Sequence, residues 1–418
     1  MIETPASGPR SPDAFYGWWM VGLASLAGAL TGPGQSIGVS VFREAIAADL
    51  DITDTALSTA YLVGTLLAST TLPRIGRWID EVGSRRAMSM VAVAFSLSLA
   101  HMAIVDHVIW LVGGFFGIRM LGQGALALVS RISVTHWFDV RRGTALGVTM
   151  TFTAAGMAVV PLLLSLGVSA WGWRSTWLVA AAVVFLAVLS IARLGLVDRP
   201  ADLGQELDGG KPGARKTPFN AVEGMDRSEV LRSSSFWILA AVASANGAVI
   251  TGMVFHQSNV LGEVGYSNAG AAAMFLPQAI GAIVGGLTFG WACDRGGRFL
   301  MPAAVAALLA GGCLLGGLGT STATVFAYSI VLGVCTGGGA AVNGALLPAL
   351  FGLRSIGTVT GLLQVISVMS TALGPVAFSI AAEVFGSYRD ALVVSTAWPA
   401  ALTGAAVIWR PGRVKSIE

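Results

Sequence analysis

The charged residues of this chain are spaced too widely for a fold that lives in water. No charged residue or histidine lies between Asp13 and Arg43, Asp54 and Arg74, Arg142 and Arg174, or Arg174 and Arg193. The same holds between Arg232 and His256, Glu263 and Asp294, Arg354 and Glu383, and Asp390 and Arg410. A bilayer core of about 30 Å takes about 20 helical residues per crossing, so each gap holds one helix. The longer gap from Arg298 to Arg354 breaks at the polar tip Gly319-Thr320-Ser321-Thr322 into two helices, and stretches 87–105 and 108–130 complete the set. The expected fold is an all-α membrane protein of twelve transmembrane helices.

Composition agrees with that count. Of 418 residues 55% are apolar and 11% charged, against about a quarter charged in soluble domains. A cleavable signal peptide is a poor account of the first segment, which follows acidic Asp13 and precedes eleven similar segments. Cys293, Cys313 and Cys335 fall in or at the ends of different helices with no CxxC spacing. Neither a disulfide framework nor a metal site is expected.

With the N-terminus in the cytoplasm, 20 of the 25 Lys and Arg residues lie on that side, with Arg43, Arg174 and Arg389 outside and Arg119 and Arg131 inside helix four. The positive-inside rule therefore predicts cytoplasmic termini, in a multi-pass protein of the cell or inner membrane. The net charge of +3 reflects this distribution. No clustered basic face implies a nucleic-acid partner.

The polar stretch 196–232, with Pro200, Gly209-Gly210, Pro212 and Pro218, reads as an interdomain loop between bundles 1–195 and 233–418. Sliding the chain by 214 residues superposes Gly76, Asp80, Gly83, Gly143, Thr144, Gly147, Pro161 and Gly172 on Gly290, Asp294, Gly297, Gly357, Thr358, Gly361, Pro375 and Gly386. One ungapped offset joins four separate regions. The chain is read as an internal duplication whose six-helix halves share one orientation, so the halves are parallel repeats.

The repeated segment is Gly290-Trp-Ala-Cys-Asp294-Arg295-Gly-Gly297-Arg298, with a looser first copy, Gly76-Arg-Trp-Ile-Asp80-Glu81-Val-Gly83. Glycine permits a two-residue reversal at the membrane surface, and the aspartate can pair with a helix N-terminus or an arginine. These segments resemble the signature loops of the major facilitator superfamily. Asp13-Ala-Phe-Tyr16-Gly17-Trp18, Trp137-Phe138 with Arg141-Arg142-Gly143, Arg199-Pro200-Ala-Asp202-Leu203-Gly204, and Gly374-Pro375 with Gly386-Ser387-Tyr388-Arg389 are similar to motifs of its monocarboxylate porter and oxalate/formate antiporter branch. The resemblance implies a secondary transporter, with the signature residues Gly76, Asp80, Gly83, Gly290, Asp294, Arg295, Gly297 and Arg298 governing conformational exchange.

Arg119 lies near the middle of predicted helix four, where a charge costs roughly 2.5 to 3.5 kcal/mol on insertion scales. It therefore needs a partner or a watery cavity. Gln123 and Ser130 follow four and eleven positions on, hence on the same face. In the family this chain resembles, an arginine here touches substrate or supports coupling, and helices one, four, seven and ten line the central cavity. That resemblance adds Gln35 beside Thr31, Asn246 beside Gln257, and Asn343 beside Thr336 to the candidate substrate residues. Gln364, with Ser367 and Thr371 on helix eleven, and Thr149 and Thr153 on helix five extend the set. His256, at the outer end of helix seven, is a candidate gate.

Lys211, Lys216 and Lys415 are all predicted cytoplasmic, and no Asp or Glu falls within a predicted span. The arginine that anion-binding relatives carry on helix eight is missing from Gly281 to Trp291, with Gly286 near its place. One buried cation favours a monoanion, expected to be a monocarboxylate, with a coupling proton or counter-substrate whose route is unassigned. Nothing resembles a phosphate-cradling loop, a metal cluster or a nucleophile-base pair. No enzyme activity and no cofactor are expected, and the chain is expected to work as a monomer in the bilayer. The alternatives are efflux of drugs or other amphiphiles and, from another class, a non-transporting membrane sensor.

Overall fold

The computed structural model describes residues 15–138, 141–210, 227–293, 295, 298–351 and 356–409. Among them every regular element is a helix. Nine stretches of the described residues are long and apolar enough to cross a membrane on length and composition alone. The longest, Ala145–Gly195, overlaps a run of 49 helical residues, Arg142–Ser190, that is interrupted at Gly172, whose φ of +79° no other residue type adopts cheaply. It therefore holds helices 5 (142–171) and 6 (173–195).

Two further crossings bring the number to twelve. Helix 1 escapes a length criterion because Gly32–Gly34 cuts it into Gly17–Ala29 and Ser36–Asp49; Pro33 there withholds an N–H donor. Helix 2, Asp54–Val82, is diluted by serine and threonine. The others are helix 3 (Ser84–Ala103), helix 4 (Val108–Thr135), helix 7 (Ser234–Phe255, continued by Gln257–Gly262), helix 8 (Asn268–Ala292), helix 9 (Met301–Leu318), helix 10 (Thr322–Phe351), helix 11 (Ile356–Phe385) and helix 12 (Tyr388–Ile408). The break expected at the 319–322 tip is where helix 9 ends and helix 10 begins.

The turn between helices 2 and 3 is tighter than the expected two-residue reversal. Gly83 alone, with φ +82°, separates Val82 from Ser84. Gly172 and Gly386, related by the 214-residue offset, have φ of +79° and +87° and turn the chain at matching points of the two halves.

Each half packs its own core. Helix 1 lies on helix 5 and helix 2 on helix 4, as helix 7 lies on helix 11 and helix 8 on helix 10. One end of the molecule, here the acidic face, carries the turns at 50–53, 104–107, 263–267 and 386–387. The other, the basic face, carries Gly83 and segments 136–138 and 196–210.

On the basic face, motifs far apart in the chain converge. The rings of Phe15, Tyr16 and Trp18 pack on Trp137 and Phe138 with centroids 5.1 to 5.9 Å apart. Trp137 Nε1 donates to the Val197 carbonyl at 3.0 Å, and the Tyr16 hydroxyl donates to the Gly195 carbonyl at 2.8 Å. The Tyr16 N–H reaches Gln205 Oε1 at 3.0 Å, and the Arg141 N–H reaches Asp208 Oδ1 at 3.2 Å. Asp198 Oδ1 accepts from the Arg85 N–H at 2.9 Å, capping the start of helix 3 beside Gly83. The stretch read as one loop thus divides: 196–210 is bound to the first half, 227–232 is a short helix, and 211–226 lies outside the described residues.

Candidate functional site

A cavity of about 550 Å³ sits among helices 1, 2, 4 and 5, with Val368 of helix 11 closing one side. Arg119 and Gln35 lie at its deep end near mid-membrane, and Arg131 and Met150, both exposed, lie toward the basic face. The sequence-predicted residues Gln35, Arg119 and Gln123 are brought together here, with Thr31, Ser130, Thr149 and Thr153.

Arg119 opens a π-helical turn, Arg119–Leu126, that widens helix 4. A Cβ on Gly34 would stand 2.5 Å from the Ile118 carbonyl oxygen, and one on Gly122 would stand 3.2 Å from Gly34 Cα. Backbone therefore meets backbone where helix 1 is broken and helix 4 is wide. That approach delivers the Gly34 carbonyl to Arg119 Nη1 at 3.3 Å, with Ser36 Oγ at 3.5 Å. Both distances are long for N–H···O bonds, and the guanidinium rests 5.1 Å over the Tyr61 ring. Arg119 is 4% exposed, with Nε buried and without a protein partner. It is held by carbonyl and hydroxyl oxygens loosely enough that a carboxylate could replace them.

Most hydroxyl groups of the cavity are already committed, and the Thr65 hydroxyl is buried without a partner among the described residues. Thr31 donates to the Gly28 carbonyl at 2.6 Å, Ser130 to Leu126 at 2.7 Å, Thr149 to Ala145 at 2.8 Å and Thr153 to Ser25 at 3.3 Å. Gln35 Nε2 donates to Thr31 Oγ1 at 3.1 Å. Gln123 bonds to no described residue, and Arg131 donates only from Nε to its own helix at Ala127. No acidic residue lines the cavity among the described residues. Neither Arg119 nor Arg131 has a carboxylate partner among them. The unspent charged donors of the cavity stand on helix 4, at positions 119 and 131, with Gln123 between them and the unpartnered Thr65 hydroxyl lining the cavity from helix 2.

Asn246 and Asn343 line a separate cavity of about 150 Å³ between helices 7, 9, 10 and 11, together with Ser367. Asn246 Nδ2 donates to the Cys335 carbonyl at 3.1 Å while its Oδ1 is buried without a partner. Ser367 and Val368, consecutive on helix 11, face one cavity each. Gln257 is structural: it bonds the Ala271 carbonyl at 2.6 Å and Gln278 at 3.0 Å, tying helix 7 to helix 8. Of the signature residues, Gly290 lies in the last turn of helix 8, where an added Cβ would meet nothing within 4 Å, and Arg295 stacks 4.3 Å over Trp291. Asp294 and Gly297 lie outside the described residues, as do the environment of Gly76 and the side chains of Asp80, Arg298 and Gln364.

At the acidic face the halves close on each other. Asp54, at the start of helix 2, pairs with Arg43 of helix 1 and accepts from Tyr388 Oη at 2.7 Å and Asn259 Nδ2 at 3.1 Å, both from the second half. Asn268 bonds Glu44 at 2.7 Å, and Thr55 bonds Glu383. His256 is fully buried, stacks on Tyr388 with centroids 4.7 Å apart, and its Nε2 meets the Pro375 carbonyl at 3.0 Å. Tyr61 packs on Phe255 at 4.7 Å and shares a 2.6 Å hydrogen bond with Ser36, which also meets Arg119. A continuous set of contacts thus links the deep arginine to the closed face. Sequence reasoning placed His256 here and missed Arg43 and Asp54, whose only sequence signal is that their charges border apolar gaps, and it had Tyr388 only as part of the 386–389 motif, with no role at this face.

A family model described as Major Facilitator Superfamily matches residues 24–286, more than half of the chain. The chain belongs to the major facilitator superfamily. It is 24% identical over 414 residues to mouse monocarboxylate transporter 11, covering 95% of this chain and 88% of that protein. A Gibberella moniliformis MFS-type transporter is 24% identical over 394 residues, covering 92% and 88%. The fold is similar to that of a bacterial homologue of the human lysosomal transporter Spinster in an inward-facing, occupied conformation, with a TM-score of 0.74, 16% identity, and coverage of 96% and 100%. As a superfamily member the chain is a multi-pass membrane transporter and not an enzyme, and its relatives include the monocarboxylate transporters that its motifs resemble.

Proposed function

We propose that this transporter carries a small organic anion, a monocarboxylate, by alternating access between bundles 1–195 and 233–418 joined by segment 196–232. One observation carries the reading: the cationic donors of the cavity are Arg119 and Arg131 on helix 4, joined by the uncommitted Gln123 and Thr65, with no described acid to neutralise them. An anion is the ligand that such a set stabilises. Arg119 receives the carboxylate in place of the Gly34 carbonyl and Ser36 hydroxyl, and Gln123 and Gln35 hold its other oxygen. Asn246, Asn343 and Gln364 approach from the second half as the bundles rock.

The positive-inside rule puts the basic face, and with it the cavity mouth, in the cytoplasm. The acidic face is then the closed outer gate, built from His256, Arg43, Asp54 and Tyr388. Exchange between states runs through the signature loops around Asp80 and Asp294, and a proton or counter-substrate supplies the gradient. One chain carries both bundles and works alone.

The test is a thermal-stability screen of purified protein against short carboxylates and uncharged amphiphiles, since a ligand stabilises by mass action. A carboxylate should stabilise the parent and fail to stabilise Arg119→Gln. Arg119→Lys should respond in part, keeping the charge and losing the planar fork. Equal stabilisation of Arg119→Gln and parent removes the anion site, and selective stabilisation by uncharged amphiphiles makes efflux the better reading.

A further inference from the structure

The second cation of the cavity has no assigned part. Arg131 follows Arg119 by twelve residues on helix 4, about 18 Å along the axis. It lines the same cavity at the end nearer the basic face and is exposed. Its one hydrogen bond, from Nε to the Ala127 carbonyl at 3.2 Å, leaves both terminal nitrogens uncommitted among the described residues. The hydroxyls beside it, on Ser130 and Thr149, direct their protons to their own helix carbonyls and offer only lone pairs to the cavity. An anion moving inward from the basic face therefore meets free donors at Arg131, and then again at Gln123 and Arg119.

We propose that Arg131 is an anion-capture site at the cavity mouth, the first of two stops for the transported carboxylate. The inference rests on the anion reading above. The axial separation of about 18 Å sets the two arginines at the deep end and the mouth end of one cavity. It also exceeds the Debye length of about 10 Å at 0.1 M salt, so Arg131 adds little to the hold on a molecule already at Arg119. Its effect is on the supply: an exposed cation at the mouth concentrates anions there and speeds their encounter with the deep site. Loading from this face should thus depend on salt, and binding at Arg119 should depend on salt much less.

The mouth can be probed without knowing the substrate. Met150 lines it and is 59% exposed, and Cys293, Cys313 and Cys335 are buried, so Met150→Cys gives a single reactive thiol for a bimane fluorophore. Quenching by iodide reads the local anion concentration, and quenching by neutral acrylamide reads access alone. Arg131→Gln in this background should reduce iodide quenching about threefold in roughly 20 mM salt, with the difference closing near 500 mM. Acrylamide quenching should not change, and Arg131→Lys should keep the parent value. Unchanged iodide quenching in Arg131→Gln at low salt would overturn the capture site and leave Arg131 as an anchor at the membrane surface. Arg119→Gln in the same labelled protein separates the two claims. Loss of carboxylate stabilisation there with a neutral Arg131→Gln sinks only the mouth site. An intact Arg131 effect with Arg119-independent carboxylate binding sinks only the deep one.

Discussion

The two halves use positions that correspond at one sequence offset for opposite purposes. At the 214-residue offset, Arg119 and Gln123 of helix 4 correspond to Gly333 and Gly337 of helix 10. A Cβ on Gly333 would stand 1.9 Å from the Gln278 carbonyl oxygen, and one on Gly337 would stand 1.9 Å from that of Ala282. Gly281 and Gly285 of helix 8 return the contact, against the Ile330 and Val334 carbonyls at 2.2 and 2.4 Å. In the second half, helices 8 and 10 touch backbone to backbone, as small residues allow between membrane helices. In the first half the same turn holds long side chains over a cavity.

The comparison breaks most visibly if that glycine contact is disturbed. A carbonyl oxygen at 1.9 Å cannot move aside like a flexible side chain, so Gly333→Ala or Gly337→Ala should cost about 3 kcal/mol or more, the upper end of overpacking penalties. The expected result is a poor yield of monodisperse protein. Gln123→Ala, at the position equivalent to Gly337, should fold with the parent's melting temperature within about 1 °C, because a surface change free of partners shifts stability by under about 0.5 kcal/mol. Equal losses for the pair would contradict the division of labour.

The next effect in size belongs to the deep arginine. A hydrogen bond to a charged group contributes about 1.5 to 3 kcal/mol, so Arg119→Gln should weaken carboxylate binding about 10- to 100-fold by titration calorimetry. Asn343→Ala, in the small cavity of the second half, should weaken it only a few-fold, as befits one neutral hydrogen bond of about 1 kcal/mol. If Asn343→Ala costs as much as Arg119→Gln, the second half shares the anion site equally.

Where the halves are alike, paired changes should match. Gly172 and Gly386 both turn at positive φ, and a Cβ on either would meet nothing within 4 Å. Alanine there introduces backbone strain alone, of order 1 to 3 kcal/mol. Gly172→Ala and Gly386→Ala should lower the melting temperature by amounts that agree within experimental scatter. A large difference would mean that the two turns carry unequal packing.

What the sequence reveals and what it hides divide along physical lines. The crossings are readable because bilayer thickness forces long charge-free runs, and the glycine turns because only glycine holds those angles. The Arg119 environment is hidden: Gly122 and Gly124 hint at a distorted helix, yet nothing in a 3.6-residue pattern announces a π turn. Asp198 capping helix 3, and the meeting of residues 15–18 with 137–138 and 197–208, depend on tertiary approach across more than a hundred residues. Asp54 and Arg43 look like ordinary flanking charges until the fold puts Tyr388 and Asn259 beside them. Helix ends and turns have local causes that a sequence prints, whereas partners chosen across the bundle do not.

The smallest expected effect contrasts the two faces. On the acidic face the Tyr388 hydroxyl crosses from helix 12 to Asp54 of helix 2, and on the basic face the Tyr16 hydroxyl bonds the Gly195 carbonyl inside one half. Each is one hydrogen bond at 2.7 or 2.8 Å, yet only the first is lost when the halves part at the acidic face. Tyr388→Phe keeps the ring stacked on His256 and removes the oxygen, so it should shift the balance toward the acidic-face-open state by about 1 to 2 kcal/mol. Tyr16→Phe should lower overall stability by about 1 kcal/mol and leave that balance where it was. Spin labels at Asp51 and Tyr266, near the closed face on opposite halves, would report the populations by their separation. Tyr388→Phe should enlarge the long-distance fraction about tenfold, 1.4 kcal/mol being a factor of ten in an equilibrium. An unchanged distribution in Tyr388→Phe, or a shift in Tyr16→Phe of the same size, would mean that the cross-half bond does not hold the acidic face shut.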